Sequence, residues 1–489
     1  MIRNLVVLAF ATVGLFADEP NIVVILADDL GYGDLGVYNP DSNIPTPNID
    51  RMASQGLRLT EAHTPDTVCS PTRYGVLTGR YAWRTRLKKG VLNGASPPLI
   101  DSDRLTLPGM LREKGYETGA VGKWHLGYTW TLIDQSKPVE HGNIDWSKPL
   151  LDGPLQHGFS YYFGLGKPGW TFMENDRVLA EPTEKFDQTH LPSYLMGGNN
   201  TRGWRAPGYT HERMLPRFTE EAVGFINRSA KTGKPFFLYF TPITPHRPVV
   251  PNEASLGKTE AGLYGDFVYE LDWAAGELLK ALERNGVTDN TLIILTSDNG
   301  PEIDAYRRIL EYRHFSMGPW RGVKRDLWEG GHHVPFIARW PGKIPAGKTH
   351  DEIICLTDLM ATISHIVDYD LPADSAEDSY NVLPVLMGKD IGKPIREATV
   401  HHSISDWYGI RQGDWVYLDT ETGDDNRGKE PDWFRRERMV ESHQESAELY
   451  HLAEDRTQTK NVVDRYPDKV KALKALLEKY KREGRSVER

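Results

Sequence analysis

Cysteine is scarce in this chain: Cys69 and Cys355 are the only two in 489 residues. At most one disulfide can form, so no disulfide framework supports the fold. Positive charge is not in excess either, with 58 Lys and Arg against 68 Asp and Glu and a formal net charge of −10. That balance excludes a general nucleic-acid binder, which needs surplus cations to neutralise phosphates. Any attraction for an anionic ligand must therefore be local. Internal repeats and low-complexity tracts are missing. The apolar run from Leu5 to Phe16 falls short of the roughly 20 residues that a membrane-crossing helix needs. With Arg3 ahead of it and the small Ala17 before Asp18, it reads as an export signal, residues 1–17. Its removal leaves a periplasmic or secreted protein without a membrane span.

What is present is ordinary globular material, 39% hydrophobic and 26% charged. The length suits a main domain, residues 18–385, with a smaller one, 386–489, attached. Four short apolar runs end abruptly in polar residues. Ile22 to Ala27 runs into Asp28-Asp29, and Thr118 to Val121 precedes Lys123 and His125. Phe236 to Phe240 leads to Thr244-Pro245-His246, and Leu292 to Thr296 meets Asp298-Asn299-Gly300. Continuous apolar runs of this length suit strands buried on both faces. Amphipathic stretches at Asn48 to Gln55, Leu107 to Lys114, Arg217 to Arg228 and Phe267 to Asn285 alternate with them. The expected fold is α/β, a large mostly parallel or mixed sheet flanked by helices. Ligands of such sheets bind beyond the carboxyl ends of the strands, where all four polar clusters fall.

The segment with most chemistry is Cys69-Ser70-Pro71-Thr72-Arg73, followed by Leu77-Thr78-Gly79. A helix is expected to start at Pro71, since proline is tolerated in a first turn. Cys69 then sits at the positive end of the helix dipole, a place that binds an anion or activates a nucleophile. An isolated C-x-P-x-R is more often a structural cysteine beside a surface arginine. Here a second stretch follows, Gly115-Tyr116-Glu117-Thr118-Gly119-Ala120-Val121-Gly122-Lys123-Trp124-His125. Together they resemble the two signatures of type I sulfatases, enzymes of the alkaline-phosphatase-like superfold. The resemblance runs from about Pro20 to the C-terminal region.

It implies that Cys69 is oxidised to formylglycine by a maturation enzyme, so Cys355, in an apolar setting, is left buried and no disulfide forms. Asp28, Asp29, Asp298 and Asn299 are hard oxygen ligands suited to calcium or magnesium rather than zinc. Each pair alone is more often a turn. The resemblance makes them, with the modified Cys69, ligands of one Ca2+ ion. It also implies catalytic roles for Cys69, Arg73, Lys123, His125, His246 and Lys324. His246, in Thr244-Pro245-His246-Arg247-Pro248, and Lys324, in Gly322-Val323-Lys324-Arg325, rest mostly on it, because a lone loop histidine or lysine is usually structural or solvated. His332-His333 has no second ligand cluster at metal spacing and reads as loop.

The implied activity is hydrolysis of a sulfate monoester. The residue-69 hydroxyl attacks sulfur, His246 with Lys324 protonates the leaving oxygen, and His125 takes the proton that expels sulfate. A phosphonate or phosphate diester hydrolase of the same superfold is the nearest alternative, and a non-catalytic binder of sulfated glycans is the other. Export, a tryptophan-rich insert from Tyr128 to Pro216 and the basic Arg307-Arg308 and Arg313-His314 point to a sulfated saccharide. Trp130, Trp146, Trp170 and Trp204 either form a sugar-stacking wall or pack loops. Beyond Leu383, a hairpin at Tyr408 to Leu418, a strand at Glu448 to Leu452 and an amphipathic helix at Pro467 to Lys481 resemble the family's small C-terminal α+β domain of antiparallel sheet plus helix. The charged Asp419 to Ser442 reads as an exposed loop.

Overall fold

A computed structural model describes residues 19–488, and the expected export signal lies outside them. Among the described residues no helix is long and apolar enough to cross a membrane. The main sheet has ten strands. Across it they run Lys348–His350, Leu57–Leu59, Phe336–Arg339, Thr291–Ser297, Asn21–Ala27, Phe236–Thr241, Glu117–Gly122, Tyr161–Gly166, Thr171–Glu174 and Arg177–Val178. The five strands from Thr291–Ser297 to Tyr161–Gly166 are mutually parallel, and antiparallel strands extend both sides. The sheet is therefore mixed, with a parallel centre.

The first strand explains the layering. All seven of its residues are buried. Ile22, Val24 and Leu26 enter one apolar core, while Val23, Ile25 and Ala27 enter the other. Successive side chains of a strand point to opposite faces, so an unbroken apolar run demands cover on both. Helices Cys69–Thr78, Leu107–Glu113 and Leu359–Ile366 contribute to the first core. Pro47–Ser54, Met214–Ser229 and Gly262–Arg284 contribute to the second.

A second, four-stranded antiparallel sheet comprises Thr399–His402, Tyr408–Gln412, Trp415–Leu418 and Glu448–His451. Gly413, at φ +57°, makes its hairpin turn. Helix Pro467–Glu483 lays Leu473, Leu477 and Tyr480 against Val400, Ile410, Tyr417 and Leu449 of this sheet. Tyr81 and Trp83 join the same core and tie it to the main unit.

Trp130, Trp146 and Trp170 of the insert are buried, which favours loop packing, one of the two alternatives open for them. The stretch from Asp419 to Ser442 is not simply exposed: it contains helix Asp432–Glu437 and buries Asp424, Asp425, Asn426 and Glu430. Glu430 takes two hydrogen bonds from buried Arg321, at 2.8 and 2.7 Å, which is why so charged a segment can sit inside.

His332 and His333 are not loop residues either. Both are buried, His332 ending the short helix Glu329–His332, and folding brings His63 and His401 to them from distant sequence. The donor nitrogens of His63, His332 and His401 lie within 4.8 Å of one another. Their hydrogen bonds argue against a metal. Arg411 donates to His63 Nε2 at 3.0 Å, leaving the proton of this ring on Nδ1, 3.1 Å from His332 Nδ1. His332 Nε2 then donates to the Leu327 carbonyl at 3.1 Å. A metal on His63 Nδ1 would force a proton onto Nε2, against the N–H of Arg411. The cluster is a neutral relay between the two sheets, faced also by Glu61, Glu329 and His333.

Burial holds His63 and His401 well below the usual histidine range and takes His332 down to about 4. The unfolded chain therefore binds more protons than the folded one as pH falls from about 6.5 to about 4, and stability is lost through that window. His401→Leu removes one such ring. It is expected to flatten the acid decline by up to about 1.4 kcal/mol per pH unit. Unfolding midpoints measured from pH 7 to 4 check this, and an unchanged slope contradicts it.

Candidate active site

Four parallel strands end at one place. Asp28 and Asp29 follow the strand Asn21–Ala27, and Asp298 and Asn299 follow Thr291–Ser297. Lys123 and His125 follow Glu117–Gly122, and His246 follows Phe236–Thr241. Gly122 makes the close approach possible. At φ +120°, an added Cβ would lie 2.0 Å from the Thr241 carbonyl oxygen. Asp29 and His125 have positive φ, 67° and 60°, strain of the kind that persists where the surroundings dictate a side chain's direction.

The helix carrying Cys69 begins at Cys69 itself, two residues earlier than expected, with Val68 extended before it. Pro71 is then the third helical residue, where the missing N–H is still one of the four that a helix start leaves unbonded. All ten residues of Cys69–Thr78 are buried, and Gly79 at φ +63° ends the helix. One turn along, fully buried Arg73 directs Nη2 and Nε to Asp298 Oδ2 at 2.8 and 3.0 Å. Its Nη1 donates to the Lys123 carbonyl at 2.8 Å. Arg73 thus binds the helix to two strand ends, and its donors are taken up by the protein.

The acidic groups are buried and crowded. Lys123 Nζ lies 2.6 Å from Asp28 and Lys324 Nζ 2.6 Å from Asp29. Asn299 donates to Asp29 Oδ1 at 2.7 Å. Even so, Asp28 Oδ1, Asp29 Oδ2 and Asn299 Oδ1 are buried without a hydrogen-bond partner. Ligand atoms of Asp28, Cys69 and Asp298 come within 4.8 Å of one another. Burial favours the neutral form of Asp28, yet Lys123, His246, Arg73 and Lys324 together hold its carboxyl far below the ordinary range. At Asp298 burial wins, joined by the charge of Asp28, and the carboxyl is pushed well up despite Arg73. Buried oxygens without a partner call for a positive group, and a donor set of side-chain oxygens suits a hard cation.

His125 Nε2 donates to the Leu92 carbonyl at 2.7 Å, while Nδ1 is buried and unpartnered. Ser70 accepts from Leu92 N–H at 3.1 Å, so the residue after Cys69 helps set this ring. Burial, with Lys123 and Arg73, keeps His125 well below the usual histidine range. His246 Nδ1 donates to the Arg247 carbonyl at 2.5 Å, and its Nε2 lies 3.9 Å from Asp29 Oδ2. All ten expected site residues therefore meet in one place.

Of the other expected basic groups, Arg307 and Arg308 line a cavity together with Asp29 and Arg247. His314 pairs with buried Asp34 at 2.8 Å, a structural contact, while Arg308 donates through Nε to Ser316 at 3.0 Å and leaves Nη2 buried without a hydrogen-bond partner. Arg307 pairs with Glu311 and lies over the Tyr194 ring. Sequence reasoning missed Asn426, which donates to the Lys324 carbonyl at 2.8 Å, and Glu302, which holds Arg247 and Arg325. Glu302 stands only four residues past Asp298, but nothing in its local pattern separates it from a solvated glutamate.

The family described as Sulfatase matches residues 20–369. The chain belongs to the sulfatase family and is an enzyme of that class. It is 33% identical over 506 residues to the N-acetylgalactosamine-6-O-sulfatase of Bacteroides thetaiotaomicron, covering 95% of this chain and 94% of that one. To human N-acetylgalactosamine-6-sulfatase it is 34% identical over 396 residues, covering 77% and 67%. A solved Bacteroides thetaiotaomicron structure, from work on the metabolism of multiple glycosaminoglycans, superposes with a TM-score of 0.79 at 30% identity, covering 95% of this chain and 99% of that one. A phosphonate monoester hydrolase of Agrobacterium radiobacter, at 18% identity and a TM-score of 0.60, shares the fold.

Only the folded chain gathers these oxygens, so a bound divalent cation must stabilise it. Chelation is expected to lower the thermal midpoint and calcium to restore it, by about 2.7 kcal/mol at a hundred times Kd. Asp29→Asn is expected to lose most of that response. A wild-type midpoint indifferent to chelator and calcium contradicts the cation site.

Proposed function

We propose that the protein hydrolyses sulfate monoesters on carbohydrate, 6-O-sulfated N-acetylgalactosamine being the unit it acts on, through formylglycine made from Cys69 and one calcium ion. The sugar is supported by the bacterial and human relatives at 33% and 34% identity. The observation that carries the chemistry is the trio of buried, unpartnered oxygens on Asp28, Asp29 and Asn299, with Asp28 and Asp298 gathered at Cys69 on a helix start.

Three carboxylates here face Arg73, Lys123 and Lys324, so the side chains roughly cancel. A calcium ion held by Asp28, Asp29, Asp298 and Asn299 would leave a local positive charge, polarise a sulfate oxygen and acidify the hydroxyl at residue 69. Formylglycine, as its hydrate, would supply that hydroxyl as nucleophile and let sulfate leave by elimination.

Lys123 and Lys324 each keep N–H donors beyond those given to Asp28 and Asp29, and these neutralise the sulfate oxygens. Arg73 acts at one remove, fixing Asp298 and Lys123. His246, anchored through Nδ1, presents Nε2 as the acid for the leaving oxygen, with Lys324 beside it. Burial takes His246 down to about 4 in the free protein, and an arriving anionic ester acts in the opposite direction. His125 has its proton tied up at Leu92, so its free Nδ1 is the base that takes the last proton from residue 69. Cys69 is 3% exposed, which requires the maturation enzyme to reach it before the chain closes. Export through residues 1–17 belongs to the same reading.

Mass spectrometry of the peptide bearing residue 69 from active enzyme is expected to find a mass below that of cysteine, together with aldehyde reactivity. Only free thiol in active enzyme contradicts the reading. Cys69→Ala is expected to lose turnover with its thermal midpoint kept, and His125→Ala to lower kcat by about 10²–10⁴-fold. A desulfation screen on defined sulfated saccharides tests the sugar.

A further inference from the structure

Glu302 is 5% exposed, lines one cavity with Asp29 of the site, and receives two cations from two other loops. Arg247 Nη2 donates to Glu302 Oε2 at 2.8 Å. Arg325 grips the same carboxylate with both terminal nitrogens, Nη1 on Oε1 and Nη2 on Oε2 at 3.0 Å. Each arginine follows a site residue directly: Arg247 comes after His246, and Arg325 after Lys324. His246 and Lys324 stand on separate loops, so their separation needs a common anchor.

The backbone bears the same pattern. His246 Nδ1 is anchored on the carbonyl of Arg247, so moving Arg247 moves the ring. Arg325 sits at φ +83°, a left-handed conformation that a long side chain rarely adopts unless its contacts enforce it. The Lys324 N–H donates at 2.9 Å to the carbonyl of Pro301, the residue before Glu302. Burial favours a neutral Glu302, but Lys324, Arg325 and Arg247 hold its carboxyl well below the ordinary range, so the clamp is ionic.

We propose that Glu302 is a positioning residue that sets His246 and Lys324 in register at the leaving oxygen of the ester, through Arg247 and Arg325. This rests on the roles given to His246 and Lys324 above. A charged bidentate partner fixes direction as well as distance, which a glutamine of the same shape cannot do for two guanidinium groups. The need for accurate proton delivery depends on the leaving group. A sugar alcohol must be protonated as it departs, whereas nitrophenolate leaves without that help.

The test compares wild type and Glu302→Gln, both confirmed to carry the aldehyde at residue 69, on nitrophenyl sulfate and on 6-sulfated N-acetylgalactosamine. The expected result is a kcat loss at least about tenfold larger on the sugar sulfate, with KM nearly unchanged on both. Arg247→Met cuts only the His246 arm, and is expected to give the same bias if Glu302→Gln fails to fold. Equal losses on the two substrates in the folded variants overturn the proposal while leaving the sulfatase reading intact. A wild type that carries the aldehyde but turns over neither ester overturns the reading itself and the proposal with it.

Discussion

One buried guanidinium holds the site together. Arg73 reaches from the helix of Cys69 to Asp298 on one strand end and to the Lys123 carbonyl on another, and lies 3.7 Å from Asp28 on a third. An arginine with no exposure is tolerable only if all its charge and donors are answered, and removing a partner would strand a charge in the interior. The three strands, the helix and their polar ends must therefore close as a unit. This accounts for a helix whose ten residues are all buried, and for the strained backbone at Asp29 and His125.

The same closure creates an electrostatic need. The chain as a whole is acidic, with a formal charge of −10, so it repels the anion it is read as binding. Attraction must come from within a few ångströms, where burial strengthens every charge. Arg73, Lys123 and Lys324 each pair with a carboxylate, and oxygens of Asp28, Asp29 and Asn299 stay without a partner. A divalent cation would answer both conditions, partnering the oxygens and turning a neutral cluster into a positive one.

Much of this could be read from sequence because the signals were local. Unbroken apolar runs gave away the central strands, and the observed ends differ from the expected ones by a residue. Asp28, Lys123 and Asp298 follow their strands directly and His246 comes five residues after its own, so all four could be placed at one edge before any contact was known. Contacts between distant segments could not be read. His63, His332 and His401 lie far apart in the chain, and only folding stacks them. Glu302 and Asn426 sit in charged stretches that look solvated, because Arg247, Arg325 and the Lys324 carbonyl that answer them come from other loops. The tryptophans of the insert likewise carry no mark that tells packing from sugar binding.

The proposed chemistry requires a hard cation to complete the strand-end oxygens. Anomalous diffraction from crystals grown with calcium measures that most directly. The expected result is a single peak bounded by the oxygens of Asp28, Asp29, Asp298 and Asn299, beside residue 69. Absence of a peak there, with those four side chains well ordered and bonded only to one another, would contradict it.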